Sequence, residues 1–148
     1  MLIESPRFGT IEVAEEEIVT FPDGLLGFSG FTRYYFHEPA PQSPLKWMQC
    51  VDQPALGFVV TDPKVFKPDY RARVAPSQLK GLEIDEAEEA MVWVILTIPS
   101  DPIQMTANLQ GPLIVNRKLK MGAQVVVNEE GITTKYPVLA GAGASENR

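Results

Sequence analysis

The stretch Ile18-Val-Thr-Phe-Pro-Asp-Gly-Leu-Leu-Gly-Phe28 joins a short β-type run to a turn and then to an apolar loop. Pro22 fixes a backbone angle that suits the start of a turn, and Gly24 can adopt conformations that branched residues avoid. Because loops are normally polar, Leu25-Leu-Gly-Phe28 is expected either to fold back onto a core or to stay available for a partner. The two interpretations are compatible, since part of the loop can be anchored while its tip is exposed.

Short β-type runs separated by turn residues recur along the whole chain. They follow one another at intervals of roughly 10 residues, which is typical of sandwiches and barrels. The predicted strands are Leu2–Glu4, Gly9–Val13, Glu17–Phe21, Arg33–His37, Lys46–Cys50, Gly57–Thr61, Met91–Ile98, Met105–Leu109, Leu113–Asn116, Gly122–Asn128 and a short one near Thr133. The pattern therefore predicts an all-β fold.

The middle of the chain carries both the strongest strand signal and the helical signal. Met91–Ile98 is apolar at nearly every position, which predicts a central strand covered on both faces. Pro76–Leu82 predicts one or two helical turns, and Asp85–Ala90 a short acidic turn. Residues 1–140 are interpreted as one domain, and Gly141–Arg148 as a flexible C-terminal tail.

Composition and charge are typical of a soluble globular protein and argue against a nucleic-acid partner. Apolar residues make up 45% of the 148 residues and charged residues 22%, and no apolar run is long enough to span a bilayer. The net charge of −6 argues against direct binding of nucleic acid and favours basic partners, or serves solubility alone. With no visible secretion signal and a single cysteine, Cys50, the expected location is the cytoplasm.

The sequence contains no recognisable catalytic, metal-binding or cofactor-binding motif. The one histidine, His37, has no cysteine or histidine at ligand spacing, and no phosphate-binding or nucleophile-elbow loop is present. Four aspartates stand beside or near proline, where their side chains are expected to form turns: Asp52, Asp62, Asp69 and Asp101. We therefore expect no enzymatic activity, no cofactor and no metal.

Two polar features leave a structural and a functional interpretation open. The acidic clusters Glu15–Glu17 and Glu83–Glu89 are either solvated faces or contacts for a basic patch on a partner. Asn108 lies in an otherwise apolar run, where its amide either ties neighbouring loops together or is presented to a bound peptide.

Taken together, these segments resemble the bacterial flagellar assembly factor FliW family over about residues 3–138. The resemblance rests on the order and spacing of Phe21-Pro-Asp-Gly-Leu-Leu-Gly-Phe28, Trp47-Met-Gln-Cys-Val-Asp-Gln-Pro54, Phe58-Val-Val-Thr-Asp-Pro63, Pro68-Asp-Tyr70, the run Val92–Ile98, Met105-Thr-Ala-Asn-Leu-Gln-Gly-Pro-Leu-Ile-Val-Asn116 and Gly122-Ala-Gln-Val-Val-Val127. This chain has Ser29 where an acidic residue is commoner, and we expect no loss of function from it.

The resemblance implies a small, mainly antiparallel β-barrel-like domain without catalytic activity. It also implies two protein partners: CsrA, a dimeric RNA-binding translational repressor, and newly made flagellin. While flagellin accumulates it would occupy the factor and leave CsrA free to block the flagellin message. As flagellin is exported, the released factor would capture CsrA and translation would resume.

Residue assignments follow as hypotheses. Leu25, Leu26 and Phe28 are assigned to an apolar contact patch, with Asn108 as a polar contact nearby. Three acidic residues are assigned to complement basic residues of CsrA: Glu86, Glu88 and Glu89.

A second class of function also remains open at this point. A barrel of this size could bind a small ligand or catalyse an unrecognised reaction. Trp47, Phe66 and Tyr70 are then the candidate pocket-lining residues, although aromatic residues at such positions usually belong to a core.

Overall fold

The β-type runs of the sequence form eleven strands in the computed structural model, which describes residues 1–38, 42–71, 76–79, 81–84 and 90–139. The strands are β1 (Leu2–Ser5), β2 (Gly9–Glu12), β3 (Val19–Thr20), β4 (Arg33–His37), β5 (Lys46–Cys50), β6 (Gly57–Thr61), β7 (Ala90–Thr97), β8 (Thr106–Ala107), β9 (Leu113–Asn116), β10 (Met121–Gln124) and β11 (Tyr136–Pro137). Short 3-10 turns lie among the described residues at Glu15–Glu17, Pro63–Val65, Pro76–Leu79 and Pro102–Gln104.

Seven of these strands close into a barrel in the order β3-β4-β5-β6-β7-β9-β10. Every pairing around the ring is antiparallel except that of β10 with β3, which is parallel through Met121 and Thr20. Strand β8 continues the β9 edge of β7, β11 pairs with β8, and β1 and β2 form a separate hairpin. The prediction of an all-β, mainly antiparallel, barrel-like domain is confirmed.

Side chains on alternate positions of the barrel strands fill its interior. Tyr34, Met48, Val60 and Leu113 are fully buried there. The outer face is covered in turn, by the β1–β2 hairpin over Tyr35 and by a second cluster that includes Tyr70, Val94 and Leu109. Strand β7 therefore packs against an apolar cluster on each face, as its sequence predicts.

Several predicted elements differ in extent from the observed ones. The predicted strand Glu17–Phe21 shrinks to Val19–Thr20, because Glu15–Glu17 form a 3-10 turn in which the Glu17 side chain accepts the Ala14 N–H. The short strand predicted near Thr133 is present slightly further along, at Tyr136–Pro137, although the Thr133 carbonyl already accepts the N–H of Leu109.

Two further strands end early for identifiable reasons. Strand β8 stops at Ala107 because Asn108 starts a turn. Strand β10 ends at Gln124, where the pairing with β9 becomes incomplete. Val125 still donates its N–H to the carbonyl of Pro112, but Pro112 has no N–H to donate to the Val125 carbonyl.

The predicted helical turn at Pro76–Leu82 is present as the 3-10 turn Pro76–Leu79. The predicted acidic turn at Asp85–Ala90 and the tail Gly141–Arg148 lie outside the described residues, except that Ala90 begins β7.

Candidate protein-binding surface

The loop between β3 and β4 is built from consecutive tight turns. Gly24 donates to the carbonyl of Phe21 over 2.8 Å, and Phe28 donates to that of Leu25 over 2.7 Å. Gly24 has φ +66°, and a Cβ at this position would lie 2.5 Å from the carbonyl oxygen of Phe28. Only glycine fits both the conformation and this close approach of backbone to backbone. The Pro-Asp-Gly turn in the sequence thus fixes the path of the apolar residues that follow it.

The two leucines of this loop point in opposite directions. Leu25 is 3% exposed and packs into the barrel interior, whereas Leu26 is 64% exposed at the tip. The assignment of Leu25 to the contact patch is therefore corrected: its side chain is an anchor for the loop and is not available to a partner. Leu26 is exposed, as the hypothesis requires of a residue that contacts a partner.

Phe28 has an intermediate position. It is 36% exposed, and its ring meets that of Phe58 edge-on with centroids 5.4 Å apart. Such edge-to-face packing holds one side of the ring against the barrel and leaves the other accessible.

Gln124 fixes the loop tip to the barrel. Its Oε1 accepts the backbone N–H of Leu26 at 2.8 Å, and its Nε2 donates to the carbonyl oxygen of Gly111 at 2.9 Å. Sequence reasoning missed this residue. The available signal was one long polar side chain in the otherwise small and apolar run Gly122-Ala-Gln-Val-Val-Val127.

Asn108 lies beside this connection, where it stabilises a turn. Its Oδ1 accepts the N–H groups of Gln110 and Gly111, at 3.1 and 2.9 Å, so the chain bulges out between β8 and β9. A Cβ at Gly111 would lie 2.9 Å from Nε2 of Gln124, so the two amide side chains close around that glycine. Asn108 therefore ties neighbouring loops together, as one of its two interpretations holds, and its side chain also borders the surface.

The tip leucine and Asn108 border one hollow, as the hypothesis of a neighbouring polar contact requires. This hollow of about 90 Å³ is lined by Leu26, Asn108, Gln110, Gly111, Val126 and Thr134. We call these residues the Leu26 surface. Val126 is 40% exposed within it and adds to the apolar area.

The acidic clusters are only partly described. Glu15–Glu17 are exposed, and so is Glu83, whose backbone has φ +51°. Glu86, Glu88 and Glu89 lie outside the described residues, so their assignment stays a prediction.

Of the three aromatic residues suggested for a ligand pocket, Trp47 lies apart from Phe66 and Tyr70, which share one outer cluster. Trp47 packs under the β1–β2 turn, with the Arg7 guanidinium 4.6 Å from its ring centroid. Tyr70 donates its hydroxyl to the carbonyl of Leu109 at 2.7 Å, and Phe66 packs on Tyr136 in the same outer cluster. All three side chains take part in packing contacts between described residues.

Two of the four aspartates have the turn-forming role predicted for them. Asp62 accepts the N–H of Lys64 at 2.9 Å, and Asp101 accepts that of Ile103 at 3.2 Å. Asp52 instead pairs with Arg33, which holds the pKa of this carboxyl below its usual range. Lys67 lowers the pKa of Asp69 in the same way.

The large pKa shifts belong to tyrosines and have a packing origin. Burial raises the pKa of Tyr34 to about 12, and burial together with the charge of Glu129 does the same for Tyr70. Among the described residues, no three or more His, Cys, Asp and Glu side chains gather as a metal site would require. No helix in the described part of the chain has the length and apolar character that a membrane crossing needs.

Comparison with known proteins identifies the family. The sequence model of the family described as "FliW protein" matches residues 2–138. The "Flagellar assembly factor FliW" of Alkaliphilus metalliredigens is 39% identical over 94% of this chain and 86% of its own length. Its namesake in Natranaerobius thermophilus is 39% identical over 97% and 95%, and that in Geobacter sulfurreducens is 36% identical over 99% and 91%.

A solved structure agrees with the sequence matches. It is described as "Crystal structure of the flagellar assembly factor FliW" and superposes with a TM-score of 0.86 at 30% sequence identity, covering 93% of this chain and 96% of that one. Sequence and fold agree over nearly the whole length, and the chain therefore belongs to the FliW family of flagellar assembly factors.

Proposed function

We propose that this protein is a non-enzymatic flagellar assembly factor that binds the translational repressor CsrA and relieves its repression of flagellin mRNA. Flagellin is the competing partner: when bound, it prevents the factor from capturing CsrA. The protein acts in the cytoplasm, where the message is translated, and contacts neither RNA nor membrane directly.

The observation that carries the protein-binding part of this proposal is the fixed exposure of Leu26. A leucine that is 64% exposed on a loop is common. The backbone N–H of this one, however, is bonded to the side chain of Gln124, which is 98 positions away in the sequence. An apolar group presented on a rigid frame loses little entropy on binding, so its contact area contributes more fully to affinity. Leu26 and Phe28 would supply apolar contacts, with Asn108 as their polar neighbour.

Electrostatics support the choice of CsrA. A net charge of −6 favours encounter with a basic, RNA-binding partner. Glu86, Glu88 and Glu89 contact basic residues of CsrA in this proposal, because these three carboxylates stand close together in the sequence. Negative charge brought next to an RNA-binding surface disfavours RNA, by overlap or through its repulsive field.

The test is a gel-mobility assay with purified CsrA, the leader of the flagellin message and this protein. Added protein should release the RNA, and added flagellin should restore the CsrA–RNA complex. Leu26→Ser should weaken the release. Ile103→Ser is the matched control, because Ile103 is also exposed, at 54%, but lies in the separate turn Pro102–Gln104.

Absence of any complex with CsrA and with flagellin would contradict the proposal. Equal loss of RNA release in the two serine variants would contradict the role of the Leu26 surface alone.

A further inference from the structure

Strand β10 and the residues after it pair with β9 along one edge, whereas the other edge pairs with β3 only at its start. Val125 and Val127 donate to the carbonyls of Pro112 and Gln110, at 3.0 and 2.8 Å. Backbone groups alternate in direction along an antiparallel pair, so those of Gly122, Gln124 and Val126 point to the opposite edge. The part of this opposite edge beyond the pairing with β3, from the Gly122 carbonyl to Val126, is called the outer edge below.

The outer edge begins where the parallel pairing with β3 stops. Met121 pairs with Thr20, and Lys120 accepts the Thr20 N–H at 2.9 Å. Two residues after Thr20 the chain reaches Pro22, which has no N–H with which to continue the pairing of β3 with β10. Among the described residues, no backbone group pairs with the outward N–H and C=O of Gln124.

A cleft runs along this edge. Its volume is about 400 Å³, and its lining includes Pro22, Asp23, Ser77 and Gln78 together with Met121–Gln124. The cleft adjoins the Leu26 surface through Gln124, whose side chain holds the backbone of Leu26.

The side-chain amide of Gln78 already imitates a peptide group at this edge. Its Oε1 accepts the N–H of Val126 at 2.7 Å, and its Nε2 donates to the carbonyl of the same residue at 3.1 Å. A neighbouring strand would make the same pair of hydrogen bonds. Covering an edge with a side chain is one way in which proteins keep strands from pairing with other chains.

We propose that the outer edge receives an extended peptide segment of a protein partner by β-strand addition, and that Gln78 is a displaceable stand-in for that segment. The inference rests on the proposed protein-binding function and identifies the backbone edge that takes part in it. Main-chain hydrogen bonds provide affinity in this mode of recognition, and flanking side chains provide selectivity. Exposed Val126 and Leu26 select an apolar side chain at one end of the segment, and Asp23 a basic one at the other.

The experiment uses synthetic 12-residue peptides that tile flagellin and CsrA, with amide hydrogen exchange of the whole protein followed by NMR. A binding peptide should slow the exchange of the Gln124 and Val126 amides. Gln78→Ala should tighten the binding roughly tenfold, because two competing hydrogen bonds are removed. Val126→Pro should abolish peptide binding, because the outer edge loses the N–H of residue 126. The barrel should tolerate the change, because this N–H does not take part in the pairing with the residues before β9.

Val126→Ala is the matched comparison, because it keeps the N–H and only shortens the apolar side chain, so its affinity should fall between those of the unaltered protein and Val126→Pro. Gln78→Ala keeps the proposal testable if the proline variant does not fold. Three results would overturn it: no peptide protects the two amides, Gln78→Ala leaves affinity unchanged, or Gln78→Ala produces a dimer in light scattering, in which case the edge takes a second copy of this chain.

Release of RNA from CsrA, measured with the same preparations, reports on the proposed function separately. RNA release without protection of the edge amides rejects the edge inference alone. Failure of RNA release and of flagellin binding rejects the proposed function.

Discussion

Leu26 donates its backbone N–H to the side-chain Oε1 of Gln124, 2.8 Å away, although the two residues are 98 positions apart in the chain. The same side chain holds the carbonyl of Gly111 through its Nε2. One glutamine thus joins the β3–β4 loop, strand β10 and the turn that Asn108 initiates. The exposed leucine at the tip owes its position to this long-range contact as much as to the local Pro-Asp-Gly turn.

Replacing Gln124 tests that connection. Gln124→Leu has a similar shape but leaves the Leu26 N–H and the Gly111 carbonyl without their partner, so we expect the free energy of unfolding to fall by about 1–3 kcal/mol. Binding of CsrA should weaken as the loop tip loses its fixed position. Urea unfolding and calorimetric titration measure the two effects. Gln104→Leu, at an exposed position of the Pro102–Gln104 turn, is the control and should change neither.

The two leucines of the loop should respond differently to the same truncation. Leu25→Ala removes a buried side chain and should destabilise the fold by about 2–5 kcal/mol. Leu26→Ala should change stability by less than about 0.5 kcal/mol and weaken the complex with CsrA. Urea unfolding of both variants beside a pull-down with CsrA gives the comparison. Loss of stability in Leu26→Ala of the size seen for Leu25→Ala would show that both side chains are core residues.

Two glycines of the loop differ in how tightly they are enclosed. Gly27 has φ +85°, and a Cβ at this position would have nothing within 4 Å. Gly27→Ala should therefore lower the free energy of unfolding only by the backbone strain of about 1–2 kcal/mol. Gly24→Ala adds a clash with the Phe28 carbonyl oxygen at 2.5 Å and should cost clearly more. Melting temperatures of both variants decide the matter, and an equal fall in the two would mean that the loop backbone relaxes freely.

Charge reversal tests the acidic cluster. Changing Glu86, Glu88 and Glu89 to lysine should slow association with CsrA and weaken its salt dependence, because steering acts through the association rate. Stopped-flow measurements at low and high salt provide the rates. Glu4→Lys, Glu12→Lys and Glu130→Lys together change the net charge equally at exposed positions outside both acidic clusters and serve as the control. An unchanged rate at low salt in the first triple variant removes that cluster from the interface.

Alkaline pH should destabilise the fold through its buried tyrosines. Burial raises the pKa of Tyr34 and of Tyr70 to about 12, above the value of roughly 10 expected in the unfolded chain. The folded protein therefore retains these protons where the unfolded chain releases them. Their contribution to stability is fully present below pH 10 and is lost as the pH rises towards 12.

Urea unfolding between pH 8 and pH 11.5, compared between the unaltered protein and Tyr34→Phe, measures this loss. The variant should show a shallower decline, and the deletion itself should be mild because the Tyr34 hydroxyl has no hydrogen-bond partner among the described residues. Parallel declines in the two proteins would assign the alkaline loss to other groups.

Much of the barrel could be predicted from local pattern. Arg33–His37, Lys46–Cys50, Gly57–Thr61 and Leu113–Asn116 are predicted with the bounds that the structure has. Each is a short run bounded by turn residues and buried along at least one face, so the local signal and the tertiary environment agree. The prediction fails where a side chain competes for the backbone, as Glu17 does before β3.

The candidate surface was predictable only in part. The apolar loop and Asn108 stand out in the sequence because a polar residue in an apolar run, or the reverse, is unusual. Their proximity was part of the residue hypothesis, and Leu26 and Asn108 border one hollow in the structure, whereas their contact with a partner stays a prediction. Gln124 stands out as the one long polar side chain in an apolar run, but nothing in that run shows which distant backbone it bonds. Gln78 was not found, because a glutamine that bonds a distant backbone has the same local sequence as one that faces solvent.

The sequence by itself determined the all-β class, the positions of the turns and the acidic character of the exterior, because these depend on residue types and short-range spacing. Only the tertiary structure decided that Leu25 is buried while Leu26 is exposed, and that a strand edge lies beside them with Gln78 bonded to it. Neighbouring leucines have the same hydrophobicity. Barrel closure alone places one of them inside and the other within reach of a partner.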